Sequence, residues 1–152
     1  MKRGFTLVEL LAVIVLIAII ALIGAGGISR VRQNVKNDMC RSTIDMIETG
    51  GKHYGEDFQN LLVNNCTIDG HSYKCLTVTV QQLIDWGYIN VKETPKKDAN
   101  GNNVTQLING ESVIVYERII KNESDDSILN NNTVTIYIDG MVYAKVNGVN
   151  CN

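Results

Sequence analysis

The N-terminus of the chain combines a long apolar run with one acidic side chain near its start. The run is uninterrupted from Leu10 to Ile23 and follows the basic residues Lys2 and Arg3, with Glu9 directly before it. An ionised carboxylate inside hydrocarbon costs ~2.5 kcal/mol or more, so a segment that served only as an anchor would be better off with an apolar residue there. The charge therefore indicates that this segment does more than anchor the chain.

The rest of the chain is polar and rich in asparagine. The chain has 152 residues, a length typical of one domain, and the roughly 120 that lie outside the apolar N-terminus suffice for one modest core. The formal net charge of -2 disfavours nucleic acid as a main partner, because binding to phosphates needs a basic face. Four cysteines without a C-x-x-C pair, behind an export-competent N-terminus, indicate an oxidising or extracellular compartment.

Two ordinary explanations of the N-terminus are a secretory signal and a transmembrane anchor. A secretory signal ends in a small-residue cleavage site, for which Ala25, Gly26 and Gly27 are loose candidates. An anchor from Phe5 to Gly24 has about 20 residues, the length needed to cross a hydrocarbon core of ~30 Å. The basic residues at its start would then stay in the cytoplasm, and the C-terminal part would lie outside.

A third explanation rests on the stretch GFTLVE, residues 4–9, which follows the two basic residues and opens the apolar run. This arrangement closely resembles the processing motif of type IV prepilins and pseudopilins. The resemblance implies that a membrane peptidase cuts between Gly4 and Phe5 and that the new N-terminal residue, Phe5, is methylated. Glu9 then becomes the fifth residue of the product, where the family keeps a glutamate.

The same resemblance implies a role in assembly for Phe5 and Glu9. After cleavage Phe5 carries a positively charged amine at the membrane edge, and a helix that packs beside another with a small axial offset places this amine against the neighbour's Glu9. Such pairing relieves the cost of an isolated carboxylate in low dielectric and also sets the register between uniform apolar helices. Two alternatives are that Glu9 lies at the level of the lipid headgroups or that it neutralises its own N-terminus.

The segment departs from the family at residues 24–27, which read GAGG where many members carry a proline. Glycine in a helix interior costs ~1 kcal/mol relative to alanine, so these residues predict a weak point where the helix bends or melts. The alternative is that they mark the end of the helix.

The sequence as a whole predicts an α+β fold, in which a long N-terminal helix packs against a small antiparallel β-sheet, as in pilins. Beyond the glycines apolar residues recur at helical spacing, so the helix has a transmembrane half and an amphipathic half. Gly50 and Gly51 interrupt this pattern and weaken the prediction for its last turns. The predicted buried stripe comprises Ile28, Val31, Val35, Met39, Met46, Tyr54, Phe58 and Leu61.

The sheet is predicted from segments rich in β-branched residues. The strongest signal is a hairpin of residues 133–138 and 141–146 around Asp139 and Gly140. Thr79 and Gln82 have the form of a capping box that opens a short helix. Further predicted elements are strands at 76–80 and 113–120, the end of the short helix at Gly87, and loops at 93–105 and 121–132.

The four cysteines allow three disulfide pairings. We favour Cys66 with Cys75, which closes a small loop around residues 69–70. We favour Cys40 with Cys151 as the second pair, which ties the last residues back to the stem.

Catalytic and zinc-binding patterns are scarce. His53 and His71 are the only histidines, and no nucleophile or phosphate-binding motif occurs, so neither a catalytic residue nor a cofactor is predicted. Cys66, His71 and Cys75 have the residue types of zinc ligands, but their spacing matches no common site. We therefore predict no zinc site.

A calcium loop is suggested only by its first residues. Asp98, Asn100 and Asn102 imitate the start of such a loop. Asn103 and Asn109 stand where the loop needs glycine and glutamate, so a polar turn is favoured over a metal site.

The sequence therefore predicts a structural subunit of a type IV pilus or pilus-like filament rather than an enzyme. Its parts are a leader (1–4), a transmembrane and assembly helix (5–27), and a globular head that includes the amphipathic half of the stem (28–152). The resemblance implies as partners copies of itself or other pilins, prepilin peptidase, the assembly platform in the membrane, and lipid before assembly. The protein is expected to cross the cytoplasmic membrane once, head outside, and then to enter an extracellular filament.

Two other functions stay open. The first is a pseudopilin of a DNA-uptake or type II secretion machine, and DNA is a partner only in that case. The second is a membrane-tethered enzyme that shares the anchor, which the scarcity of catalytic motifs disfavours.

Overall fold

The structure is a computed structural model that describes residues 6–151, with the backbone but not the side chains of residues 22–27. One long helix, α1 (Leu7–Asp57), precedes a mixture of strands and one short helix, so the predicted α+β class is confirmed. After α1 the chain forms a 3-10 turn (Gln59–Leu61), β1 (Asn64–Ile68), β2 (His71–Thr79), α2 (Val80–Asp85), β3 (Thr94–Pro95), β4 (Thr105–Ile108), β5 (Glu111–Ile114), β6 (Tyr116–Glu117), β7 (Thr133–Asp139) and β8 (Met141–Val146).

The four longer strands form one antiparallel sheet in the order β1-β2-β7-β8. The predicted hairpin, which had the strongest signal in the sequence, is confirmed, because β7 and β8 pair from Val134 opposite Val146 to Asp139 opposite Met141. Gly140, at the turn, has a φ of 69°, which a residue with a side chain adopts reluctantly. The remaining strands form two-stranded ribbons, β3 with β6 and β4 with β5.

Several predicted boundaries were wrong. The strand predicted at 76–80 begins earlier, at His71, and its last residue instead opens α2. The strand predicted at 113–120 is divided between β5 and β6. The predicted loop 93–105 contains β3, which pairs with β6, because a polar segment can form a ribbon wherever a partner strand lies beside it.

α1 is continuous through both sets of glycines. The predicted weak point at residues 24–27 does not interrupt the helix, and the alternative that these residues end it was wrong. The doubt about the turns after Gly50 and Gly51 was also wrong. Close packing explains the later glycines. A Cβ on Gly50 would lie 2.6 Å from Cγ1 of Ile89, and one on Gly55 would lie 2.5 Å from Cγ2 of Ile136. Gly50 lets the helix lie against the segment that follows α2, and Gly55 lets it lie directly on the sheet.

The buried face of α1 differs from the predicted stripe. Tyr54 is the one predicted member that is buried. The contacts with the sheet that the structure describes lie in the last part of α1, and glycines make much of them, which a search for large apolar residues overlooks. The buried positions of α1 are Cys40, Ile47, Gly50, Gly51, Tyr54 and Gly55. The other predicted members are exposed, namely Ile28, Val31, Val35, Met39, Met46, Phe58 and Leu61.

The core lies between the end of α1, one face of the sheet, and α2. The predicted capping box at the start of α2 is confirmed, since the Gln82 amide donates to Oγ1 of Thr79 at 3.2 Å and the Thr79 amide donates to Oε1 of Gln82 at 2.8 Å. Leu83 and Ile84 on α2 are fully buried. The core also contains Ile47, Tyr54, Leu62, Val78, Val80, Ile89, Ile120, Leu129, Val134, Ile136 and Val142.

Two disulfides close the structure, and they join the pairs favoured from the sequence. Cys40 on α1 is bonded to Cys151, with a Cα–Cα distance of 5.6 Å, and Cys66 on β1 is bonded to Cys75 on β2, with a Cα–Cα distance of 6.1 Å. A hydrogen bond also joins the end of β8 to α1, because the Val146 amide donates to the Glu48 carboxylate at 3.0 Å. The end of the chain is thereby held against the stem.

We expect Gly55→Ala to destabilise the protein. Alanine adds ~1 kcal/mol of helix propensity, but its Cβ would lie 2.5 Å from Ile136 and 2.7 Å from Val142, and overpacking of this kind costs about 1–3 kcal/mol. Urea unfolding of the full chain in micelles measures the difference. Ser42→Ala, at an exposed position of the same helix, is the control and should change stability by less than about 0.5 kcal/mol. A Gly55→Ala protein as stable as wild type would contradict the packing described here.

We expect the two disulfides to contribute unequally to stability. The Cys40–Cys151 bridge spans 111 residues and the Cys66–Cys75 bridge spans 9, so the chain-entropy model assigns them ~4.7 and ~2.5 kcal/mol. Unfolding of the double-serine variants of each pair, under non-oxidising conditions, tests the order. Equal losses, or peptide mapping that joins Cys40 to Cys66 or Cys75, would contradict it.

Candidate assembly surface

α1 begins with a capping box that involves Glu9. Thr6 is the N-cap, and its Oγ1 accepts a hydrogen bond of 3.3 Å from the Glu9 amide. In return the Thr6 amide and the Thr6 hydroxyl both donate to Oε2 of Glu9, at 2.9 and 3.0 Å. This partner of Glu9 was missed in the sequence, although the spacing T-x-x-E is the signature of a capping box. Gly4 and Phe5, the predicted processing residues, lie outside the described residues.

Apart from Glu9, the described residues in the first turns of α1 are apolar, and their side chains are exposed. Leu7 is 80% exposed and Ile20 is 66% exposed. Within the residues that the structure describes, no helix combines the length and the apolar character that crossing a membrane requires. The exposed apolar residues of this segment are Leu7, Val8, Leu10, Leu11, Val13, Ile14, Val15, Leu16, Ile17, Ile19 and Ile20.

The next part of α1 carries a narrower exposed stripe. Ile28, Val31, Val35 and Met39 are between 49% and 61% exposed, and their spacing of three and four residues places them on one face of the helix. We call these four residues the stem stripe. Nothing in the described part of the chain covers it, although the predicted pattern had assigned it to the core.

A second exposed apolar surface lies on the ribbon of β4 and β5. All eight residues of these two strands are exposed, and Leu107 is 78% exposed. A two-stranded ribbon is marginally stable by itself in water, so apolar side chains on both of its faces indicate contact with something outside this chain. The stem stripe and this ribbon are two different surfaces that the described residues leave without a partner.

The zinc and calcium candidates have other roles in the structure. Cys66 and Cys75 are joined in a disulfide, which leaves no thiolate for zinc. The Asp98 carboxylate accepts the amides of Asn100 and Asn102 at 2.9 and 2.8 Å. These backbone hydrogen bonds, that of Asn102 first, hold the pKa of Asp98 below its ordinary value. Among the described residues no group of three or more histidine, cysteine or acidic side chains is placed to hold a metal ion.

The comparisons with known proteins concern the N-terminus. Residues 1–25 match the family model described as the prokaryotic N-terminal methylation motif. Searches of curated proteins and of solved structures find no match to the chain. The matched segment contains Gly4, Phe5 and Glu9, together with the first apolar turns of α1. The chain therefore carries the N-terminal signature of type IV pilins and pseudopilins.

Proposed function

We propose that this protein is a structural subunit of a type IV pilus or pilus-like filament. The observation that carries the proposal is the coincidence of the methylation motif with a helix whose apolar side chains are exposed in the described part of the chain. Prepilin peptidase removes residues 1–4, and the apolar part of α1 holds the subunit in the cytoplasmic membrane, head outside. The assembly platform then transfers it into a filament, where neighbouring subunits replace lipid around α1.

The exposed surfaces of the head support growth of a filament rather than formation of a closed dimer. A heterologous contact joins two different patches on successive copies, whereas a twofold dimer uses one patch twice. The stem stripe and the ribbon of β4 and β5 are two such patches within the described residues. Head contacts of this kind would add to the packing of the N-terminal helices.

Glu9 is proposed to act twice, first in the single subunit and then in the filament. Its bonds to Thr6 cap the helix and hold the carboxylate at the helix N-terminus, where the partial positive charge of the helix favours an anion. The amine that cleavage creates on Phe5 lies at the same end of a neighbouring α1. A small axial offset between two stems would place the two charges together.

We expect the mature protein to begin at Phe5 with a methylated amine. Removal of residues 1–4 takes away two basic side chains, so the formal side-chain charge changes from -2 to -4. Intact-mass spectrometry of protein isolated from its native membrane tests this. An intact Met1, or a new N-terminus near Gly27, would remove the basis of the proposal.

Substitutions at Glu9 separate its charge from its capping bond. Glutamine also completes a capping box, as Gln82 does at the start of α2 in this same chain. We expect Glu9→Gln to keep membrane insertion and cleavage but to assemble as poorly as Glu9→Ala, because both lack the charge. Glu9→Asp should be intermediate, since its shorter side chain reaches less far.

Electron microscopy of sheared filaments at matched expression measures assembly. Normal filaments from Glu9→Gln together with few from Glu9→Ala would assign Glu9 to capping alone and contradict the charge pairing.

The same preparation distinguishes a surface pilus from a pseudopilin. Abundant processed protein in the sheared fraction indicates a surface pilus, whereas processed protein that stays in the cell envelope indicates a pseudopilin.

A further inference from the structure

Three tyrosines form a row across the face of the sheet that α1 does not cover. Tyr73 on β2 and Tyr137 on β7 have ring centroids 5.2 Å apart, and Tyr137 and Tyr143 on β8 stack at 5.5 Å. Tyr143 lies directly opposite Tyr137 in the strand pairing. We call these three residues the tyrosine row. Side chains alternate along a strand, so the row points away from Ile136, whose side chain packs beneath α1.

The row presents apolar rings, each of which carries a polar hydroxyl group at its edge. Tyr143 is 38% exposed, and the other two rings are half-buried among their neighbours. Partial burial is the main cause that raises the pKa of Tyr73 and Tyr137 above the ordinary value, so both hydroxyls stay protonated at neutral pH and can donate and accept. Cross-strand aromatic pairs stabilise a sheet by themselves. Three in succession on this face also present aromatic surface, with adjacent rings inclined by 46° and 23°, against which the ring of a ligand can pack.

The charged side chains around the row carry a small net negative charge. Nζ of Lys145 lies 3.8 Å from Oδ1 of Asp69, and the charge of Asp139 is, after partial burial, the next cause that raises the pKa of Tyr73. Asp45, Glu48 and Lys52 line a cleft beside Tyr143. The imidazole of His71 lies at the end of the row, 6.4 Å from the Tyr73 ring. Single-stranded nucleic acid also stacks on aromatic rings, but it needs a positively charged groove for its phosphates. Two carboxylates beside one lysine do not provide such a groove.

A shallow cleft of about 250 Å³ borders the row. It is smaller than the pockets of ~300–1,000 Å³ that enclose drug-sized ligands, so it suits a ligand that lies along the surface. Hydroxyl, amide, ammonium and carboxylate groups line it. They belong to Thr135, Asn147, Lys145 and Asp69, and the remaining lining residues are Cys66, Thr67 and Ile68.

We infer that the tyrosine row and its bordering cleft bind a neutral carbohydrate chain. A pyranose ring has one face of C–H groups, which packs on an aromatic ring, and a rim of hydroxyls, which bond to carboxylates, amides and phenols. The net negative charge around the row disfavours an anionic ligand, whereas an uncharged ligand meets no such repulsion. If the subunit forms filaments as proposed, each copy repeats the row, and many weak sites act together on one polysaccharide.

Binding is tested on the full-length protein in a zwitterionic detergent, since detergents with sugar headgroups would compete. The probes are cellohexaose, maltohexaose and chitohexaose, with a fifteen-nucleotide oligothymidine as the anionic comparison, all measured by titration calorimetry. We expect at least one hexasaccharide to bind and the oligonucleotide not to bind. This outcome does not depend on filament formation, so failure of this inference can be distinguished from failure of the proposed function.

Three variants locate the site. We expect Tyr143→Ala to weaken binding about tenfold, equivalent to about 1.4 kcal/mol, because it removes the most exposed ring of the row. Tyr143→Phe keeps the ring and should retain most of the affinity. Tyr116→Ala is the matched control, since Tyr116 is 55% exposed on β6, outside the row, and its loss should change nothing.

Several results would overturn the inference. These are binding of no hexasaccharide, tighter binding of the oligonucleotide, or an equal loss of affinity in Tyr116→Ala and Tyr143→Ala. If Tyr143→Ala melts at a lower temperature, wild-type protein labelled with fluorotyrosine decides the question. Saccharide-dependent shifts of the tyrosines in the row support the site, and their absence rejects it.

Discussion

The close approach between the end of α1 and the sheet is the contact on which the rest of the structure depends. Gly51 and Gly55 have no side chain that would hold the two apart, since a Cβ there would lie 3.0 Å from Cγ1 of Val134 and 2.5 Å from Cγ2 of Ile136. The helix has 51 residues, about 77 Å at 1.5 Å per residue, and the sheet covers only its last third. The fold is therefore built on one end of α1 and leaves the other end unpartnered.

The Cys40–Cys151 disulfide lies at the boundary between these two parts of the helix. Among the side chains of α1 that the structure describes, Cys40 is the first buried one, and its bridge holds the end of the chain against the helix there. The bond from Val146 to Glu48 supports the same junction. A force applied to the N-terminal part of α1 would thus be transmitted to the rest of the fold through a covalent bond as well as through apolar packing. If the protein forms the proposed filament, its small head benefits from this bond, since its core alone is modest.

The sequence predicts those parts of the structure that depend on local chemistry. Asp139 and Gly140 fix the β7–β8 hairpin, and Thr79 with Gln82 fixes the start of α2, because turn and cap geometry require those residue types. The buried face of α1 was misplaced because Gly55 contributes contact by having no side chain. The tyrosine row was missed for another reason, since it depends on the register of three strands. Residues 4–9 were recognised because the residues of a processing motif are adjacent in the sequence.

The Glu9 carboxylate can keep its capping bonds to Thr6 and also form the proposed ion pair with the N-terminal amine of a neighbouring subunit. An ionised carboxylate has about four lone-pair sites, and Thr6 uses two of them, both on Oε2. The capping box therefore leaves capacity for an ammonium group while it fixes the direction of the side chain. A carboxylate already held in place loses little rotamer freedom when a neighbour arrives, so pairing costs less conformational entropy than it would for a free side chain. Under the proposed function, the residue that caps the start of α1 in the single subunit is thereby oriented in advance to set the position of the next subunit.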